Sequence, residues 1–522
     1  MANKSVFASM KGRLLPKADA KNAHAAPAYA YCDAHALAQM AVTGTFGQMY
    51  YGAARDELAR VVALAEAVDP QFLARTAIHA RQMGHMKDMS AVLLAVLARR
   101  DPALFRAVFG RVVDNGRMLR TFVQVVRSGR TGRKSLGSAP KAMVQAWLNA
   151  ASDRALLMAG IGNDPSLGDV IKMVHPKPDT PEREALYAWF VGRPCDTARL
   201  PGALRDWLAF RETGTGTLPD VPFQMLTQLP LTADHWAGIA RNGAWQMVRQ
   251  NLNTFLRHGV FDAPGNVHHV AALLRDPQAV AKARAFPYQL MVAAQTVDPA
   301  MPREIVDALH DAMEIAAGNV PKIAGQVVVA PDVSGSMTWG VTGQRKGATS
   351  KVRHVDVAAL VAASILRVNR GAQVLPFDFD VRDVRLEPRD TILTNAGRLA
   401  ALAGGGTNCS APLRWLNARH RAPDLVVFVS DNQSWVDSGV DARGGGRSTA
   451  MLAEWEVLKR RNPKARLVCI DIAPYGTTQA QTREDVLNVG GFSDAVFGQI
   501  AAFAAGRTGP DHWVGEIGKI EV

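Results

Sequence analysis

Residues 326–336 read QVVVAPDVSGS. An apolar, β-branched run that stops at small polar residues is the pattern of a buried strand with a loop at its carboxyl end. Outward from it, VDVAALVAASILRV (355–368) has helical spacing, and AQVLPFDFDVRDV (372–384), PDLVVFVSDNQSW (423–435) and ARLVCIDIAP (465–474) are further apolar strands. Helical stretches lie between them: AGRLAALAG (396–404), APLRWLNARH (411–420) and AEWEVLKRR (453–461). Alternating strands and helices predict a doubly wound parallel sheet over residues 321–522. Ligands of such sheets bind beyond the carboxyl ends of the strands.

Three segments deliver oxygen ligands to that edge. The first strand ends in Asp332-Val-Ser334-Gly-Ser336, a glycine run leads to Thr407, and the strand LVVFV ends in Ser430-Asp431. Carboxylates and hydroxyls are hard donors suited to Mg²⁺, Mn²⁺ or Ca²⁺, and Mg²⁺ is the expected ion. The candidate ligands are Asp332, Ser334, Ser336, Thr407 and Asp431. Asp378, Asp380 and Asp471 also follow apolar runs; solvated loops are expected for them, with a supporting place behind the direct ligands as the alternative. The glycine-rich segment DARGGGRSTA (441–450) lacks the Lys-Ser/Thr ending of a P-loop.

Before residue 320 the texture differs. Residues 1–30 are basic and Ala/Pro-rich, an extended lead-in. From Asp33, segments such as DAHALAQMAVTG, MSAVLLAVLARR, MLRTFVQVVRSG and REIVDALHDAMEIAAG repeat apolar residues at three- and four-residue spacing. That is the amphipathic-helix pattern, and strand patterns are hard to find here. A long row of helices stacks either as a degenerate HEAT-like array or as an ordinary helical globule. The predicted division is a helical domain over 1–320 and a sheet domain over 321–522.

The formal net charge is +13. Residues 1–320 hold 36 Lys and Arg against 27 Asp and Glu, so most of the surplus is N-terminal. A basic surface attracts polyanions by phosphate neutralisation and counterion release. From Arg99 to Lys141 there are eleven cations and two acids, with Arg127, Arg130, Arg133 and Lys134 in or beside a Gly-rich inter-helix loop. Such a loop can follow a phosphate backbone without reading bases; a solvated helical face is the alternative. Phe105, Phe109, Phe122 and Trp147 are too sparse for an evident stacking platform. The four cysteines lack metal spacing, which suggests a reducing cytoplasm. No signal-peptide core or membrane-length apolar stretch is expected.

Several segments resemble, in order, the Ro autoantigen family. TGTFGQMYY (43–51) is similar to the glycine–tyrosine segment near the start of that family's TROVE module, and GRKSLG (132–137) to its basic loop. DVIKMVHPKP (169–178) resembles its helix-end signature, and VRQNL (248–252) and RAFP (284–287) two further segments. A TROVE module followed by a von Willebrand A domain is the family layout. The resemblance implies a helical-repeat ring and a metal-ion-dependent adhesion site, with direct ligation by Ser334 and Ser336. It implies small Y-like non-coding RNA as partner, an exoribonuclease as a further partner, and no membrane. It makes Lys172, His175 and Lys177 the first RNA candidates, ahead of Arg130, Arg133 and Lys134, with Arg127 and Lys141 in the same basic region. Ser135 and Leu136 stand where animal relatives carry a Trp, so no particular Y RNA is implied.

The function expected is thus a non-catalytic, monomeric RNA-binding scaffold. A metal-dependent protein-interaction module is the alternative. A nuclease using Asp332 and Asp431 is disfavoured, because two-metal hydrolysis needs more carboxylates than this hydroxyl-rich set.

Overall fold

Two short antiparallel strands open the described chain, β1 (Ala20–Lys21) and β2 (Pro27–Ala30). Helix α1 (Asp33–Thr43) follows. The computed structural model describes residues 15–522 apart from 45, 47–52, 284, 286, 342–351, 436–447, 474, 492–493 and 508–511. Most of segment 43–51, two residues of 284–287 and most of loop 441–450 therefore lie outside the described residues. The chain packs as two units. One comprises residues 60–273, 297–305 and 520–522, the other residues 1–59, 274–296 and 306–519.

The helical unit contains α2 (Pro70–Gln82), α3 (Asp88–Arg100), α4 (Pro102–Val112) and α5 (Gly116–Arg127). Then come α6 (Ser138–Ala150), α7 (Asp153–Ala159), α8 (Leu167–Val174) and α9 (Pro181–Val191). Their starts follow from capping chemistry. Asp69, Asp101 and Thr180 each accept hydrogen bonds from first-turn amides, with proline at the next position. Ser166 and Asp169 form a reciprocal capping box on α8. Successive helices pack on their neighbours: α2 on α3 and α4, α3 on α4 and α5. Phe105, Phe109 and Phe122 meet in the core with ring centroids 5.4–5.7 Å apart. Burying each such ring is worth about 1.5–3 kcal/mol. These aromatics are core residues and offer no platform for bases.

In the sheet unit, β3 (Val327–Pro331), β4 (Gln373–Val374), β5 (Leu425–Ser430), β6 (Arg466–Asp471) and β8 (Val486–Gly490) form one parallel sheet in the order β4-β3-β5-β6-β8. Strand β7 (Thr477–Thr478) instead pairs with β2, through Tyr29 opposite Thr478. On one face, alternate residues Val328, Val426, Phe428, Leu467 and Cys469 share a core with Leu413 and Trp455. Those two lie on α12 (Ala411–Ala418) and α13 (Ala450–Lys459). The opposite face packs against α10 (His354–Val368), which itself packs on α11 (Ile392–Ala400). The order reverses at β3, so the ends of β3 and β5 form the switch point where doubly wound sheets bind ligands.

Three expectations need correction. Residues 19–30 form a hairpin rather than a simple lead-in, because β2 pairs with a strand about 450 positions away in sequence. The 320/321 division does not match the packing: residues 1–59, 274–296 and 306–320 belong to the sheet unit. Within 372–384 only Gln373–Val374 is a strand; beyond it Phe377 makes an isolated bridge to Asp332. Among the described residues, no helix is long and apolar enough to cross a membrane.

Candidate metal edge and candidate nucleic-acid track

The metal edge is assembled by backbone. The Asp332 amide donates to Val429 O at 3.0 Å, placing the end of β3 against β5. The Gly335 amide donates to Gly405 O (2.9 Å) and the Gly404 amide to Val333 O (2.8 Å), which lace the serine loop to the loop carrying Thr407. Gly405 has φ +76°, and a Cβ there would sit 2.6 Å from Asp378 Oδ2. Only glycine gives that turn room.

All five nominated residues are buried, with Asp332 and Ser334 at 0% exposure. Asp332 Oδ1 accepts from the Ser334 amide (2.8 Å) and Oδ2 from Ser430 Oγ (2.5 Å). Ser334 Oγ and Ser336 Oγ are 3.3 Å apart, and the Ser336 hydroxyl also serves Asp431. Burial, and for Asp332 also repulsion from Asp431, pushes both carboxyls above the usual carboxylate range. Among the described residues neither has a basic side chain as ion-pair partner. Two buried acids with three hydroxyls and no counter-cation are a donor set that fits a hard divalent ion. Among the described residues no group of three or more His, Cys, Asp and Glu side chains is gathered, so hydroxyls carry most of this set.

Residues not nominated from sequence hold the edge. Ser430 orients Asp332, and the Gln433 amide donates to Asp431 Oδ1 at 3.1 Å. Gln433 Oε1 in turn accepts from the Ala23 amide (2.8 Å), and Asn22 Nδ2 donates to Ser434 O (2.5 Å). The hairpin thus straps the loop that carries Asp431. Asp378 and Asp471 are buried, not solvated, whereas Asp380 is exposed as expected. Asp471 accepts from Tyr31 Oη (2.8 Å) and Gln39 Nε2 (2.7 Å), and burial pushes its carboxyl up to about 8. The local sequence around Asp471 contains no trace of those partners.

The track runs along α6. Lys141, Gln145 and Asn149 are spaced by four, so they share one stripe about 12 Å long. Gln145 Nε2 donates to Val174 O (2.6 Å) and His175 O (3.3 Å), and Asn149 Nδ2 to Lys177 O (2.8 Å). Tyr187 on α9 fixes Asn149 by a 2.9 Å bond to Oδ1. The end of α8 is therefore docked beside α6, which brings Lys141 to the same strip as His175 and Lys177. Lys172 stands exposed in the last turn of α8. The loop with Arg127, Arg130, Arg133 and Lys134 leads directly into the start of α6. Gly129, Gly132 and Gly137 turn it with φ of 75°, 90° and 72°.

Several other cations of the unit are ion-paired. Arg81 pairs with Asp114, Arg99 with Glu66, Arg154 with Asp220 and Arg183 with Asp153. None of the seven Lys and Arg nominated for RNA forms an ion pair with the described residues, though Lys172 stands near Asp169. His175 caps α8 with φ 50° and ψ 63°, a left-handed conformation usually left to glycine. Its exposed ring makes no hydrogen bond to the described residues.

Residues 326–504 match the family described as the Ro60 vWA domain. A protein named "RNA-binding protein RO60" from Deinococcus radiodurans is 27% identical over 366 residues, 66% of this chain and 66% of its own length. The crystal structure of the Deinococcus radiodurans RO (RSR) protein superimposes with a TM-score of 0.60 at 22% identity, covering 91% of this chain and 100% of that one. The chain is similar to Ro proteins in sequence and shares their fold. The Ro fold, helices followed by a von Willebrand A sheet, is the architecture described above. The match spans just under two thirds of the curated Ro relative's length.

Proposed function

We propose that this chain is a non-catalytic RNA-binding scaffold. Its helical unit holds the phosphate backbone of a small non-coding RNA along the α6 track, and its sheet edge holds a divalent cation, Mg²⁺. One observation carries the first part: seven Lys and Arg on one loop, one helix stripe and one helix end form no ion pair with the described residues, Lys172 alone standing near an acid, Asp169. The name of the Deinococcus relative supports the same reading. Unpaired cations on a scaffold set by Gln145 and Asn149 await a polyanion, which they bind by counterion release. A Y-like RNA and an RNA-processing exoribonuclease are the specific partners we assign to it. A protein-interaction module without RNA would leave the cation track without a role.

At the sheet edge, Ser334 and Ser336 would ligate the ion, with Thr407, Asp332 and Asp431 binding directly or through water. The bound ion would neutralise two buried carboxylates and offer a position to a partner's carboxylate. Ser430 and the Gln433 amide hold the two carboxylates in place. Two acids among five donors suit ion holding rather than two-metal hydrolysis.

Filter binding of a small hairpin RNA across 50–200 mM salt tests the proposal. With six or more phosphate contacts the affinity should fall roughly 10³-fold over that range. Combining Lys141→Glu, Lys172→Glu and Lys177→Glu should cost about 100-fold or more at fixed salt and flatten the slope. A wild-type chain whose affinity for RNA is weak and indifferent to salt would sink the reading.

A further inference from the structure

At the amino ends of β5 and β6 lies a second cationic face, on the sheet unit. The loop after α12 carries Arg419, His420 and Arg421, and the loop after α13 carries Arg460 and Lys464; all five are exposed. Residues 419–424 and 459–466 together hold seven Lys and Arg and one acid, Asp424. This end is separated from the metal edge by the length of the strands, about 20 Å for six residues.

The two loops are built as one surface. The Arg461 guanidinium donates to Arg421 O (3.1 Å) and to Asn417 Oδ1. Asn462 Nδ2 donates to Ala422 O (3.2 Å) and Pro423 O (3.1 Å). The Arg419 guanidinium lies over the Trp415 ring, 4.0 Å from its centroid, where cation–π attraction holds it. His420 is kept at φ 55°.

Neighbouring acids are already engaged. Glu454 takes Arg414 and the Asn417 amide, and Asp485 takes Lys459, Arg483 and Trp455 Nε1. Asp424 accepts from the Gln326 amide and Asn462. Arg419, Arg421, Arg460 and Lys464 form no ion pair with the described residues. Several cations on one cross-tied surface, with one held over a ring, suit a chain of phosphates better than a single anion.

We infer that this face of the sheet unit is a further contact for the RNA backbone. The inference rests on the RNA-binding reading above. The full-length chain is assayed with an in-vitro-transcribed hairpin RNA bearing a single-stranded tail. Arg419→Glu, Arg421→Glu, Arg460→Glu and Lys464→Glu together should weaken binding about 10-fold or more at fixed salt. The log–log salt slope should shrink by about two to four, near one per lost phosphate contact. The corresponding Arg→Lys changes at 419, 421 and 460 should keep the slope. UV cross-linking should place RNA on the peptide spanning Trp415–Arg421, a readout that does not depend on how well the variant folds.

The inference is overturned if the quadruple variant keeps wild-type affinity and slope while the α6 variant loses both; the RNA reading then stands without it. If the wild type binds no RNA, both fall. If the quadruple variant loses only the capture of a poly-glutamate peptide, the face serves an acidic protein and the inference is again overturned.

Discussion

The α6 track and the metal edge solve opposite electrostatic problems. Along the track, cations stay in water, unpaired, on a strip whose backbone is pinned by Gln145 and Asn149. At the edge, two carboxylates are withdrawn from water with only hydroxyls and amides around them. Exposed charge costs little to keep and binds weakly until many contacts add together. Buried like charge is costly and calls for one compact counter-ion. The contrast teaches that the first site should respond to salt and the second to chelation.

The largest effect expected from that contrast is at the metal edge. Saturating Mg²⁺ at about 100 times its Kd should stabilise the sheet unit by about 2.7 kcal/mol, roughly 5–10 °C in Tm. Chelation should reverse this, and Asp431→Asn should abolish the shift without changing RNA affinity. Scanning calorimetry that shows the same Tm with Mg²⁺ and with chelator would break the comparison.

A smaller effect belongs to Asp471, the buried acid beneath the N-terminal segment. Its folded carboxyl is raised to about 8, with burial the main cause, whereas the unfolded one titrates near 4. The folded state therefore holds a proton that the unfolded state releases between those values. The stabilisation is complete below about pH 4 and is lost as pH rises through 8. With Mg²⁺ held saturating, Tm should fall by a few °C more between pH 6 and 9 in wild type than in Asp471→Asn, on the order of 1 kcal/mol. Parallel profiles would mean that Tyr31 and Gln39 bind the ionised form.

His175 sharpens the comparison most finely. His175→Gly should relieve left-handed strain and raise stability by about 1 kcal/mol. The same change should weaken RNA binding about 3- to 10-fold by removing the ring. Unaltered affinity in the more stable variant would reduce His175 to a helix cap.

Much of this was legible beforehand. Asp332, Ser334 and Ser336 sit in one strand-loop segment, and their approach to Asp431 follows from parallel strands β3 and β5 ending side by side. Helix starts at Pro70, Pro102 and Pro181 carried their own capping signals. Strand β8, with Asn488 inside it, was missed, since VLNVG is short and lacks a clear pattern. The role of the first 59 residues was missed for a different reason. Asn22 and Tyr31 find their partners at Ser434 and Asp471, more than 400 positions away.

By itself the sequence determined most element types, five candidate oxygen donors and the surplus of cations, because periodicity, capping and strand-end chemistry are local. Only the tertiary structure decided which cations go unpaired and which acids are buried. Ion pairing and desolvation depend on neighbours that chain folding supplies from distant positions, and those neighbours left Lys177 and Arg421 free while enclosing Asp332 and Asp471.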